Sequence, residues 1–243
     1  VLGESALDAS VSGGSNTAIG YQALTTTTDG YRNTAVGRIA MQLNTSGFDN
    51  VAVGEQALYS NTTAGNNTAI GRNALGGNTT GSNNVAVGSL SLDAATTANH
   101  NSALGHQALG ATTTGSNNVG IGANALTANT TGADNVAVGV NALDANTTAS
   151  ENTAVGKDAL TDNTTGNSNV AFGRMALGNN TTASGNTALG TDSMFTSTTG
   201  ADNTSVGHNA MFANTTGAEN VAIGAYALDA NTTGNNNTAV GME

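Results

Sequence analysis

Few residues in this 243-residue chain could do chemistry. There are three histidines, His100, His106 and His208, with 16 acidic residues against five basic ones, and no cysteine. Catalysis or metal binding needs such groups to converge on one spot. Their positions can be compared because Asn-x-Ala-aliphatic-Gly recurs every 17 residues, from Asn16–Gly20 to Asn237–Gly241. With that Asn as position 1, His106 and His208 both fall at position 6, six repeats apart, or about 29 Å if each repeat advances by one strand spacing. They cannot share a ligand and are expected to be solvated surface residues.

The acidic residues gather at positions 10 (Asp8, Asp93, Asp144, Asp229) and 17 (Asp49, Asp134, Glu151, Asp202, Glu219). Only Asp134 with Glu151, and Asp202 with Glu219, fall on successive repeats. A calcium site needs several oxygens per ion, and the Gly-Gly-x-Gly-x-Asp pattern of calcium-binding solenoids is absent, so solubility is the simpler role. No Gly-rich stretch carries the Lys-Ser/Thr of a phosphate loop. Asn-Thr-Thr or Asn-Thr-Ser stands at position 12 in nine repeats, from Asn44 to Asn231, a row of formal glycosylation acceptors that the repeat explains without glycans. Threonine fills position 13 in every repeat except the one with Val11, and dominates position 14. In register at about 4.8 Å, such Thr files could order water and bind ice, although adjacent Thr present only one column outward per strand. The aromatics Tyr21, Tyr31, Phe48, Tyr59, Phe195, Phe212 and Tyr226 occupy variable positions. They read as individual surface variation with sugar-stacking capacity, whereas Phe172 replaces Val at position 4 and fills a gap in a core or an interface.

The repeat must position all of these groups. Its consensus is Asn, Thr/Val, Ala, Val/Ile, Gly, two variable, Ala, Leu, two variable, Asn, Thr, Thr, Gly, two variable. Position 1 is Asn in all 14 occurrences and position 5 is Gly in all 15, from Gly3 to Gly241. Position 9 is Leu or Met, as in Leu24, Met41 and Leu58. With 33 glycines, no proline, no tryptophan and eight other aromatics, no thick aromatic core can form. The predicted core is narrow and built from Ala, Val, Leu and Ile. Recurrent Gly and Asn-Thr clusters oppose helix. Runs such as Thr34-Ala35-Val36, Ala57-Leu58 and Asn61-Thr62-Thr63 read as short strands joined by tight turns, one repeat forming one coil. At the strand spacing, 14 to 15 coils would make a rod of roughly 70 Å.

Physical roles follow for the invariant positions. Gly at position 5 suits a corner with positive φ or close backbone approach, and Gly or Ala at position 15 a second corner. Asn at position 1 either forms an amide ladder from coil to coil or caps a turn. Positions 3 and 4 (Ala52-Val53) and 8 and 9 (Ala57-Leu58) are adjacent apolar pairs. In a strand, neighbours point to opposite faces, so one column of each pair faces outward unless the pair sits at a corner with both side chains inward. An outward Val or Leu column exceeds what a soluble monomer exposes, and a three-chain bundle would bury it.

The motif Asn-Thr-Ala-Val-Gly-x-x-Ala-Leu-x-x-Asn-Thr-Thr-Gly, nearly intact in Asn152–Gly166 and Asn220–Gly234, resembles repeats of phage tail-fibre proteins and bacterial surface fibres. It is also similar to the heads of trimeric autotransporter adhesins. The resemblance spans the whole chain and implies a trimeric fibre shaft or stalk.

The expectation is therefore an all-β protein, a β-solenoid of about 14 coils in a parallel homotrimeric fibre. Residues 1–243 form one uninterrupted repeat array, a fragment of a longer fibre. The expected role is a structural shaft or adhesin-like element of a viral tail fibre or bacterial surface appendage, outside the cell. The alternative is an ice-binding or surface-adsorbing solenoid using its Thr columns. No enzyme activity, catalytic residue, cofactor or metal is expected. Partners are other copies of the chain, with a cell-surface receptor or glycan as a further candidate. A net charge of −11 opposes nucleic-acid binding. No apolar run of about 18 residues supports membrane insertion.

Overall fold

In a computed structural model that describes residues 2–9 and 12–242, each repeat forms one coil of a parallel β-solenoid. Val1 and Val11 lie outside the described residues. Contacts divide the chain into two compact units, 1–118 and 119–243. The first holds six strands: β1 (Thr17–Ile19), β2 (Thr34–Val36), β3 (Val51–Val53), β4 (Thr68–Ile70), β5 (Val85–Val87) and β6 (Ser102–Leu104). In the second are eight: β7 (Val119–Ile121), β8 (Val136–Val138), β9 (Thr153–Val155), β10 (Val170–Phe172), β11 (Thr187–Leu189), β12 (Thr204–Val206), β13 (Val221–Ile223) and β14 (Thr238–Val240). Within each unit consecutive strands pair in parallel, and every residue faces the one 17 positions on, as Ala35 does Ala52 and Val36 does Val53.

Only positions 2 to 4 are strand, so of the three predicted runs only Thr34-Ala35-Val36 is one. Ala57-Leu58 lies in a turn and Asn61-Thr62-Thr63 in a bend. Their backbones still bond from coil to coil: Leu58 N–H donates to Ala74 O (2.9 Å) and Thr62 N–H to Thr79 O (3.1 Å). What interrupts the strands is a set of left-handed residues. Gln56 at position 7 has φ 60°, Leu58 at position 9 has 53° and Asn66 at position 17 has 60°. A left-handed residue breaks the two-residue alternation, and Ala57 and Leu58 both turn inward and are fully buried. The corner reading therefore holds for positions 8 and 9. Left-handed backbone disfavours leucine by about 1–2 kcal/mol, while burying its side chain stabilises by about 1.5–3 kcal/mol, so burial wins.

The strand pair behaves differently. At positions 3 and 4 alternation holds, Ala52 pointing in and Val53 out. The core is accordingly Ala, Leu and Met with buried Asn, and the Val and Ile expected inside lie on the outer face. Position 5 is the corner anticipated for Gly, with φ of +134° at Gly71. Position 15 is no positive-φ corner: Gly47 is absent from that region, and the left-handed turn sits at position 17, which looked merely variable. A small residue is needed at 15 because its carbonyl lies under two Asn side chains.

Those amides form two ladders. At position 1, Asn50 Nδ2 donates to Asn33 Oδ1 (3.1 Å) and across its own coil to Ala64 O (2.8 Å), while Asn33 Oδ1 also accepts from Asn50 N–H (3.1 Å). Ladder and turn cap are thus one interaction. At position 12, Asn61 Nδ2 donates to Asn44 Oδ1 (2.8 Å) and to the same Ala64 O (3.2 Å). A buried amide left without such partners would cost about 1–3 kcal/mol.

Candidate functional site

The sheet positions two files of side chains outward in each unit. Position 2 alternates among Thr, Val and Ser, and position 4 is Val, Ile, Leu or, once, Phe172. Because Ala at position 3 points inward, both flanking residues face away from the core. Leu104 remains 50% exposed and Phe172 53%, with Ile70, Leu189 and Ile223 close behind, and Val85 and Val170 extend the exposure to position 2. The result is a strip two side chains wide, apolar over most of its area, repeated coil after coil. Phe172 belongs to this strip and fills no core gap.

The Thr files lie elsewhere on the coil and are not equivalent. At position 13 the hydroxyls bond the next coil, Thr45 Oγ1 to Thr62 O (3.0 Å) and Thr62 Oγ1 to Thr79 O (3.1 Å). Position 14, with Thr63 and Thr80, is exposed. One free file remains where the ice-binding alternative needs a plane. Eight of the nine formal glycosylation acceptors at position 12 are buried: Asn44, Asn61, Asn78, Asn129, Asn146, Asn163, Asn180 and Asn214 have no exposed surface, and Asn231 is partly exposed. In the folded chain their amides serve the ladder.

The three histidines have different surroundings. His100 Nε2 lies 3.4 Å from Asn83 Nδ2, His208 packs edge-on against Tyr226 with ring centroids 5.4 Å apart, and His106 is exposed. Among the described residues no three His, Cys, Asp or Glu side chains gather closely enough to hold a metal ion. No helix in the described residues is long and apolar enough to cross a membrane. Charged side chains pair between neighbouring coils, as in Arg38 with Glu55 (2.6 Å) and Arg174 with Asp192 (2.8 Å). At such exposure each is worth about 0–1 kcal/mol.

Among the acidic residues, burial disfavours the charged forms of Asp93 and Asp144. It raises the pKa of Asp144 above the usual 3.8, the Thr161 hydroxyl (2.7 Å) opposes the rise, and Asp162 and Asp158 add to it. A folded-state pKa above the unfolded value means that stability is fully present below 3.8 and is lost as pH climbs through the folded value. Asp144→Asn, which keeps the acceptor for Thr161, should therefore melt higher than the natural chain at pH 7 and equal it near pH 3. Calorimetric scans at the two pH values check this.

Sequence reasoning missed a pairing among the aromatics. Tyr31 stacks on Phe48 (5.4 Å, 10° between planes) and Phe195 on Phe212 (5.7 Å). Each pair is separated by one repeat, so the spacing already placed the rings on adjacent coils. Phe48 also covers Gly65, where a Cβ would meet its ring at 2.7 Å. Several aromatics are therefore packing elements of the surface files.

Fold and site together define a parallel β-solenoid repeat protein with an exposed apolar sheet face. No family model matches the chain, and no curated protein matches it.

Proposed function

We propose that this chain is a non-catalytic fibre shaft that assembles as a parallel homotrimer through positions 2 and 4. It belongs to a viral tail fibre or bacterial surface appendage, outside the cell, where it supports or mediates attachment. The observation that carries the reading is the outward apolar strip, because a soluble monomer rarely exposes contiguous apolar surface beyond a few hundred Å². A strip only two side chains wide can converge with two copies of itself on a three-fold axis. An outward aliphatic or aromatic side chain at position 4 of every 17-residue step favours parallel chains in register. Completing the burial of each outward Val or Ile would contribute about 1 kcal/mol per side chain, repeated along the array. The motif's resemblance to trimeric surface fibres points the same way.

Net charge of −11 and the pairing of basic side chains with carboxylates argue against a nucleic-acid partner. The test is the mass in solution by analytical ultracentrifugation. Three times the chain mass is expected, and a stable monomer or dimer would overturn the trimer.

A further inference from the structure

Position 10 carries Tyr59, Gly76 and Asp93 on three successive coils of the first unit, with Gln56 and Asn73 at position 7 beside them. Where Gly76 lacks a side chain the surface file is interrupted, and these five residues line an open notch of about 140 Å³. We propose that this notch binds a single neutral pyranose ring of a glycan, with Tyr59 as the stacking wall and Gln56, Asn73 and Asp93 bonding its hydroxyls.

Size and chemistry both favour that ligand. The notch is too small for an oligosaccharide and open enough for a terminal ring to enter part-way. An aromatic side chain presents an apolar face to sugar C–H groups while its hydroxyl stays wet. Two carboxamides and a carboxylate offer donors and acceptors together, which suits hydroxyls, each of which both donates and accepts. An alkylammonium group has no acceptor and would leave the amide N–H groups unanswered.

The polar groups here also have bonding capacity in reserve. Elsewhere position 7 pairs along the file, Asn124 Nδ2 with Asn141 Oδ1 (3.3 Å) and Asn141 Nδ2 with Asp158 Oδ1 (3.0 Å). Asn73 Oδ1 is buried in the single chain without a partner, as is Asn209 Oδ1 at position 7 of another coil, and a sugar hydroxyl reaches it when the amide turns toward the notch. Asp93 is half-buried, and burial lifts its pKa above 3.8 against the hydrogen bonds from its own and Ala94's backbone. Its charged form is short of solvation and gains from a hydroxyl donor.

Saturation-transfer NMR on the full chain, with methyl glucoside, galactoside, mannoside and N-acetylglucosaminide as probes, tests the site. At least one should bind with a Kd of about 1–10 mM, as expected for so few ligand atoms. Gly76→Leu fills the notch and should weaken binding at least about tenfold, as should Tyr59→Ala. The leucine is compatible with the coil, since position 10 bears side chains in both neighbours and a Cβ at Gly76 would come no nearer than 3.3 Å to Asn73 O. An unchanged circular-dichroism melt verifies that. No signal from any pyranoside, equal binding by Gly76→Leu, or binding of n-butylammonium without any pyranoside would each overturn the proposal. The site names a ligand class for the attachment role proposed above, and the two readings fail separately. A trimer that binds no pyranoside removes this site alone, and a monomer that binds one removes the fibre alone.

Discussion

Gly71→Val is expected to lower the stability of the solenoid by about 4 kcal/mol, the sum of two effects of about 1–3 kcal/mol each. The first is backbone strain: φ at Gly71 is +134°, a region that side chains with a Cβ rarely enter. The second is steric, because a Cβ there would stand 2.5 Å from Gly88 O on the next coil. Gly88 cannot retreat, since its own N–H is bonded to Ile70 O at 2.8 Å and its neighbour strands are locked in register. Because each coil rests on the next, the damage should spread to the flanking coils. Urea unfolding measures the loss, and hydrogen exchange should show lost protection centred on β4 and β5. Gly76→Ala is the control. Its φ lies outside the strained region and its nearest neighbour is 3.3 Å away, so it should change stability by less than about 1 kcal/mol. A Gly71→Val chain as stable as the natural one would remove the corner at position 5.

The second large effect concerns assembly. Ile70→Asp combined with Leu104→Asp places a carboxylate at two outward positions of β4 and β6, 40% and 50% exposed in the single chain. Folding should barely change, because surface substitutions usually stay within about 0.5 kcal/mol. A trimer would have to bury six carboxylates around its axis, each at a cost of several kcal/mol. The sedimenting mass should fall to that of one chain while the circular-dichroism spectrum is kept. A doubly substituted chain that remained a trimer would place the interface elsewhere.

What the sequence makes legible differs from position to position. Repeat length, coil stacking and the Gly corner at position 5 were all legible, since a strict 17-residue period admits only one register of Ala35 on Ala52. The ladder at position 1 was legible as one of two options, and the structure makes both true at Asn50. At position 12 the repeat explained the formal sequons without glycans, but the second ladder was not legible, because a sequon and a buried amide file are the same letters. The inward turn of Leu58 is one of two options that an adjacent apolar pair leaves open. The left-handed conformation leaves no mark at Leu58, whereas position 17, with Asp49, Asn66, Asn83 and Asp134, carries residue types that tolerate it, and alternation rules fail where it occurs. Stacking of Tyr31 on Phe48 is legible from spacing alone, since the two rings stand 17 residues apart.

The residues able to do chemistry show the same division. Periodicity alone scattered the histidines and acids over different coils, because identical spacing forbids convergence except along one file. Turn conformations decided which way each file faces. They sent the Ala and Leu of positions 8 and 9 inward and the Val of position 4 outward, engaged the position 13 hydroxyls with carbonyls, and opened a notch where Gly76 interrupts Tyr59 and Asp93. The sequence by itself determined what repeats and at what interval, since that is a property of the covalent chain. Direction belongs to the tertiary structure, since it depends on φ and ψ at the turns, which burial of the coil interior selects.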